Sequence, residues 1–195
     1  MGHSKEDKAT SHARIVEVAS ARMRESGTAS PGVAEIMNAA GLTHGGFYKH
    51  FGSRDDLVAE AIGKAFADAD AAVEEVTRDV DDPLAAFVDW YASVAHCDDP
   101  ATGCAVVALG SDIARGDDRV RAAYRRQVER YLDNLEQLLG SGEDARRKAV
   151  VVLSSLVGAV LVARAVDDEA LSEEILRDVR AAAKASGLSA ARVRG

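Results

Sequence analysis

His96, Cys97 and Cys104 put two thiols and an imidazole close together in the chain. A thiol beside a histidine can serve as nucleophile and base, and Gly103-Cys104 opens an expected helix, where a thiol loses proton affinity and gains reactivity. Neither route is complete. No third residue is available to orient the histidine and no oxyanion site is evident, so no catalytic residue is assigned. The spacing fits no zinc pattern and a fourth ligand is missing, so no metal and no cofactor is expected. The alternative for Cys104 is a small buried apolar residue, the common habit of a free cysteine. A different chemistry is suggested by GLTHGGFYKHF, residues 41–51. Gly45 and Gly46 would each cost about 1 kcal/mol relative to alanine in a helix interior, so a local rule is broken where two aromatics, a lysine and two histidines gather.

The elements around this stretch are short. Ile15, Ala19 and Met23 recur four apart and predict a helix from Lys8 to Glu25, stopped by Gly27. Gly32 is a tolerable cap for a helix over Val33–Ala40, which Gly41 ends, and Thr43 is expected to cap a third helix, His44–His50. That third helix is too short to stand alone and must dock through Phe47 and Phe51. Two short helices joined by a tight turn after a longer one form a helix-turn-helix. Its second helix would lie in the major groove, where glycine lets the backbone approach closely. The competing explanation is that the two glycines permit close packing between helices.

Six further helices are expected, for about nine in an all-α chain. Ser53 and Asp56 start a long one that reaches about Arg78, and Asp82-Pro83 start another through His96. Pro100–Thr102 start one to about Arg115, and Asp117 caps an amphipathic helix to about Leu139. Its arginines at 119, 121, 125, 126 and 130 read as a solvated face. Asp144–Ala165 is markedly apolar. Ser172 is expected to cap the last helix, with Gly187 after it and residues 188–195 frayed.

The net charge of −8 would argue against a nucleic-acid partner if it were evenly spread. Residues 1–54 carry 7 Lys+Arg against 5 Asp+Glu, a net of +2, which leaves −10 for residues 55–195. The N-terminal quarter is electrostatically a separate object. No apolar segment follows the charges of the N-terminus, so no signal peptide is expected and the protein is placed in the cytoplasm. Ala149–Ala163 is free of charge but shorter than the about 20 residues a bilayer requires. It reads as a helix buried in a bundle, with no membrane partner. Two cysteines make no disulfide framework.

The order of residues at 41–54 resembles the TetR family of bacterial transcriptional regulators: Gly41, Leu42, Thr43, His44, Gly45, Gly46, Phe47, Tyr48, Lys49, His50, Phe51, then Gly52, Ser53 and Arg54. Val33-Ala-Glu-Ile-Met fits the preceding helix, and the resemblance covers residues 12 to about 60. Arg54 stands where the family has lysine, and Gly32 where it has a Ser or Thr cap. The resemblance implies a helix-turn-helix domain over 1–52 and a ligand-binding and dimerisation domain over 53–195. It implies a homodimeric repressor of a palindromic double-stranded DNA operator, released by a small-molecule effector.

Carried over residue by residue, Thr43, Tyr48, His50 and Arg54 are expected to contact phosphates, while Lys49 and His44 reach base edges or nearby backbone. Gly45 and Gly46 lie between them. Tyr48 could instead be a packing residue, and His50 a neutral surface histidine. The helices Asp144–Ala165 and Ser172–Ala185 match the place where family dimers form a four-helix bundle. An effector pocket would be expected between Ser53 and Leu139, with Phe66, Trp90, Tyr91, Cys104, Val107, Tyr124 and Tyr131 as candidates, each with a competing role in the core. Some members of the family sense oxidants or electrophiles through a cysteine in this region, which makes a thiol sensor based on Cys104 the alternative function. More remote are a cysteine-dependent enzyme and a helical ligand-binding protein that does not bind DNA.

Overall fold

The computed structural model describes residues 5–140, 142 and 144–191, with the side chains followed to residue 186. The described residues form nine α-helices and one 3-10 helix, and no strand. The helices are α1 (Lys5–Ser26), α2 (Val33–Ala39), the 3-10 helix (His44–Lys49), α3 (Arg54–Thr77), α4 (Pro83–Tyr91), α5 (Val94–Asp98), α6 (Ala105–Ile113), α7 (Asp118–Leu139), α8 (Ala145–Ala165) and α9 (Glu169–Ala191). They gather into two compact units. One contains residues 1–69 and 100–123, the other residues 70–99 and 124–195.

In the first unit α1 buries Ile15, Ala19 and Met23, the predicted stripe, and packs on α2 and α6. Ile36 and Met37 of α2 and Leu57, Ala61 and Ala65 of α3 are also buried. Phe47 and Phe51 are the anchors expected of the third element, with both rings buried and their centroids 5.4 Å apart. The element itself is a 3-10 helix rather than an α-helix, the tighter form used for short pieces. Thr43 occupies its N-cap position, but its hydroxyl caps nothing, contrary to expectation.

The loop after α1 is fixed from two directions. Gly27 takes φ +84° and its N–H bonds the Met23 carbonyl, ending the helix in the left-handed conformation. The Asp112 carboxylate on α6 then accepts the Thr28 N–H at 2.7 Å and the Thr28 hydroxyl at 3.1 Å. From α3, the Arg54 guanidinium donates to the Thr28 carbonyl and, at 3.4 Å, to that of Pro31. A Cβ on Gly27 would lie 2.8 Å from Asp112 Oδ2. Gly27→Ala therefore meets both the left-handed backbone and the carboxylate that secures Thr28. The expected loss is about 1–3 kcal/mol, or roughly 3–10 °C in Tm for a chain of this size, measurable by calorimetry. An unchanged Tm would show that the latch contributes nothing.

In the second unit α8 packs on α9 and α5, and α4 on α9. Arg164 of α8 donates to the Cys97 carbonyl at 2.7 Å and the His96 carbonyl at 2.9 Å, pinning the C-terminal end of α5. The single helix expected over Asp82–His96 is two. Ala92 closes α4, and Ser93 caps α5 by accepting the His96 N–H at 3.1 Å. No glycine or proline marks this break. α6 begins at Ala105, after Cys104, rather than at Pro100–Thr102. α9 begins before Ser172, because the Asp168 carboxylate accepts the Leu171 N–H at 2.9 Å and is the true cap. It also continues through Gly187 to Ala191, and the fraying expected beyond 191 lies outside the described residues.

α8 is not buried all round. Val152, Leu153, Leu156 and Val160 face the core, while Val150, Val151, Leu161 and Val162 are exposed, Val151 to 57%. Ser154, Ser155 and Ala165 share this outer side, and a Cβ on Gly158 would meet nothing within 4 Å. Between Lys148 and Arg164 no residue carries a charge. By length and composition α8 could also cross a membrane, but its inner side is committed to the core.

Candidate nucleic-acid interface

The 3-10 helix follows α2 through Gly41, which takes φ +72°, and the Leu42 N–H bonds the Met37 carbonyl at 2.8 Å. With Phe47 and Phe51 turned inward, the intervening side chains have to face out. Thr43, His44, Gly45, Tyr48 and Lys49 are exposed, with Gly46 and His50 partly so. Tyr48 is 76% exposed, and its ring meets that of Phe47 edge-on, centroids 5.2 Å apart. The packing alternative for Tyr48 therefore has no support. The same holds for the glycines. A Cβ on Gly45 would meet nothing within 4 Å, and one on Gly46 would make only ordinary contacts with Met37 Cε at 3.5 Å and Thr43 Oγ1 at 3.9 Å. Neither has a positive φ. Among the described residues, nothing inside the first unit requires glycine at 45 or 46.

An open groove of about 470 Å³ adjoins this surface, lined by Asp7, Lys8 and Ser11 of α1, by Met37 and Leu42, and by Thr43, Gly46, Lys49 and His50. His50 sits 6.0 Å from His12, centroid to centroid, and His12 stacks on Phe51 at 4.6 Å while its Nε2 meets Glu60 Oε2 at 2.7 Å. Burial holds the His50 pKa below its ordinary value, reinforced by His12, Lys8 and Lys49. Its buried Nδ1 has no hydrogen-bond partner among the described residues. The α1 residues of this groove were not picked out in the sequence. Their only sequence signal is the positive balance of residues 1–54.

Arg54 stands apart from the exposed group, half-buried and engaged with the loop carbonyls of Thr28 and Pro31. Those bonds run through Nη2, and a guanidinium has five N–H donors in all. The fold brings Thr43, His44, Gly45, Gly46, Tyr48, Lys49 and His50 onto one continuous surface.

The seven candidates for an effector pocket are distributed differently. Phe66, Cys104 and Val107 are buried in the first unit, and Tyr91 and Tyr131 in the second. Trp90 and Tyr124 are half-buried there. Trp90 stacks on His96 at 4.8 Å, with Tyr91 edge-on to it at 5.0 Å, and His96 Nδ1 lies 2.6 Å from the Tyr91 carbonyl. Burial keeps the His96 pKa below its ordinary value and pushes that of the Cys97 thiol up, against the opposing effect of Arg164. Neither arrangement favours a thiolate–imidazole pair. Cys104 is the N-cap residue of α6 and is 3% exposed. A groove of about 560 Å³ in the second unit is lined by other residues, among them Asp70, Glu74, Arg130 and Asp133. Asp70 there pairs with Arg130 at 2.5 Å and accepts from the buried Gln127 at 2.8 Å.

Comparison with known proteins bears on both units. Residues 15–61 match the family model for bacterial regulatory proteins of the tetR family. Residues 82–182 match that for the transcriptional regulator LmrA/YxaF-like C-terminal domain. The uncharacterized HTH-type transcriptional regulator Rv0196 of Mycobacterium tuberculosis is 27% identical over 161 residues, covering 77% of this chain and 82% of the relative. Among solved structures, a TetR transcriptional regulator from Chloroflexus aurantiacus aligns with a TM-score of 0.76 at 23% identity, covering 90% of this chain and 95% of that one. SCO4454 from Streptomyces coelicolor aligns with a TM-score of 0.74 at 22% identity, covering 96% and 98%. At these identities the solved structures speak to the fold.

Proposed function

Because the chain belongs to the TetR family of bacterial transcriptional regulators, we propose that it is a repressor that binds a palindromic operator as a homodimer and is released by a small-molecule effector. The observation that carries this reading is the exposed surface of the 3-10 helix, where Tyr48 stands out from the subunit and a side chain could be added at either glycine without a clash among the described residues. Side chains there are free to meet an outside partner. Thr43, Tyr48 and His50 contact backbone phosphates, Lys49 and His44 reach base edges or adjacent backbone, and Gly45 and Gly46 admit the backbone to the groove. Phosphate contacts position the protein and base contacts specify the sequence. Arg54 fixes the loop ahead of α2 and turns its remaining donors to a phosphate.

The uncharged outer side of α8 is proposed to be where two copies meet, which would set two reading surfaces on successive major grooves about 34 Å apart. In function the chain divides at Ser53, with residues 1–52 reading DNA and 53–195 binding effector and partner subunit. The effector site falls along the helices between Ser53 and Leu139, and α3, which begins in one compact unit and ends in the other, is the lever between them. An effector that binds better to the arrangement mismatched to the operator shifts the population off DNA. The protein acts in the cytoplasm, where its operator is. No observation favours the thiol-sensor reading, since the Cys104 side chain is enclosed.

The deciding experiment is selection of genomic DNA fragments by the purified protein, followed by sequencing. A recovered palindrome identifies the operator, and its neighbouring genes narrow the effector. No enrichment at low salt would sink the proposal. Gly45→Leu supplies a sharper check at one site. With open space around Gly45, the variant should melt at the same temperature as the parent, while operator affinity falls at least about tenfold, equivalent to about 1.4 kcal/mol. Retained affinity would remove Gly45 from the contact with DNA.

A further inference from the structure

We infer that the first two turns of α1 form the second wall of a seat for the DNA backbone, in which Lys8 and Ser11 bind an operator phosphate together with Thr43, Lys49 and His50. The inference rests on the operator-binding reading and extends it to residues outside the family-matched segment 15–61. Its basis is the groove beside the 3-10 helix. Lys8 and Ser11 are one turn apart on α1, hence on one face, and that face lines the groove opposite Thr43, Lys49 and His50. Half-buried Leu42 supplies an apolar edge suited to a sugar, and the absence of a side chain at Gly46 keeps the Thr43 side open.

The electrostatics ask for an anion. Lys8 and Lys49 are each close enough to His50 to disfavour its protonation, as is His12. Among the described residues neither lysine forms an ion pair, and Asp7 is the one carboxylate lining the groove. Cations gathered in this way repel one another until a phosphate enters, and release of the condensed counterions of DNA then favours binding. The partner is duplex DNA rather than a free anion, because the groove is open and continuous with the exposed Thr43 and Lys49 of the reading surface.

Proton uptake follows from the same arrangement. His50 is faced by Lys8 and His12 from α1 and by Lys49 from its own element, with Glu60 of α3 behind His12. In the free protein burial, reinforced by these neighbours, keeps the imidazole below the usual histidine pKa of about 6.5. A phosphate in the seat raises it, so the complex binds more protons than the free protein and affinity rises as pH falls into the range where His50 takes up its proton. His50→Gln should flatten that slope.

The test is full-length Lys8→Ala and Ser11→Ala titrated against the selected operator over a range of salt, with Tyr48→Ala alongside. Lys8 is exposed, so its variant should melt normally. The Lys8 variant is expected to weaken operator and unrelated DNA alike, roughly tenfold at about 0.1 M salt. It should also lower the slope of log affinity against log salt by about two for a dimer, one per lysine lost. Ser11→Ala should weaken binding less and keep the slope. An unchanged affinity and slope for Lys8→Ala, with Tyr48→Ala impaired, would remove α1 from the interface and leave the operator reading intact. If Tyr48→Ala is unimpaired as well, the operator reading itself has failed.

Discussion

Tyr48→Ala should lose about 100-fold in operator affinity and nothing measurable in stability. The phenol projects from an element whose neighbouring side chains, Phe47 and Phe51, are buried, and it is 76% exposed. Truncating an exposed side chain with little packing changes stability by less than about 0.5 kcal/mol. A hydrogen bond to a charged phosphate contributes about 1.5 kcal/mol or more, and a two-fold complex uses it twice. The sum, about 3 kcal/mol, corresponds to the stated loss. Fluorescence anisotropy with the selected operator gives the affinity, and a thermal melt the stability. Tyr48→Phe separates the hydroxyl from the ring. A Tm lowered by several degrees, with affinity intact, would restore Tyr48 to the core.

On the proposed dimer, Leu161→Glu should leave single subunits and thereby remove operator binding. Leu161 is 54% exposed on the outer side of α8, beside Val162 and, further along, Val150 and Val151. A two-fold interface uses the same patch on both copies, so each substitution enters it twice. Removing an unpaired carboxylate from water costs several kcal/mol even after relaxation. The variant should sediment as a single subunit where the parent is expected to be dimeric, and its operator affinity should fall by about 100-fold or more, because the two half-sites would no longer be bound together. The variant needs no repacking within the subunit. Gly158→Leu is a second route to the same end, since its side chain would enter empty space in the lone subunit. A Leu161→Glu protein that still sediments as a dimer would place the interface elsewhere.

The helix-turn-helix was legible because its punctuation is local. Gly27 and Gly41 end helices through positive φ, and Phe47 and Phe51 recur at the spacing that docks a short element. The elements further along were less legible where a cap was hidden by a stronger decoy. Ser172 looks like a cap, but Asp168, with its carboxylate on the Leu171 N–H, starts the helix earlier. Pro100 suggests a helix start that Cys104 makes, and Ser93 breaks a run that has no glycine or proline. The third element is a 3-10 helix, the tighter form that short pieces take. The outward surface at Thr43–Lys49 could be read from sequence order, since neighbours in the chain are neighbours on it. The α1 wall of the groove could not, because Lys8 and Lys49 come to line one groove only through the packing of α1 against the elements after it. Aromatics such as Tyr91 and Tyr131 were equally ambiguous, for a buried ring has the same periodicity whether it fills a core or lines a cavity.

A hybrid regulator that grafted residues 1–52 onto a foreign sensor would carry the proposed reading surface but leave its mooring behind. The compact unit around that surface also includes residues 100–123, and from there Asp112 grips the Thr28 N–H and hydroxyl. Arg54, the other hand on the same loop, lies just past the cut. The surface is thus no cassette. Swapping operator specificity in this protein is better done by exchanging the side chains at 43–50 in place, leaving the discontinuous scaffold that holds them to its original chain.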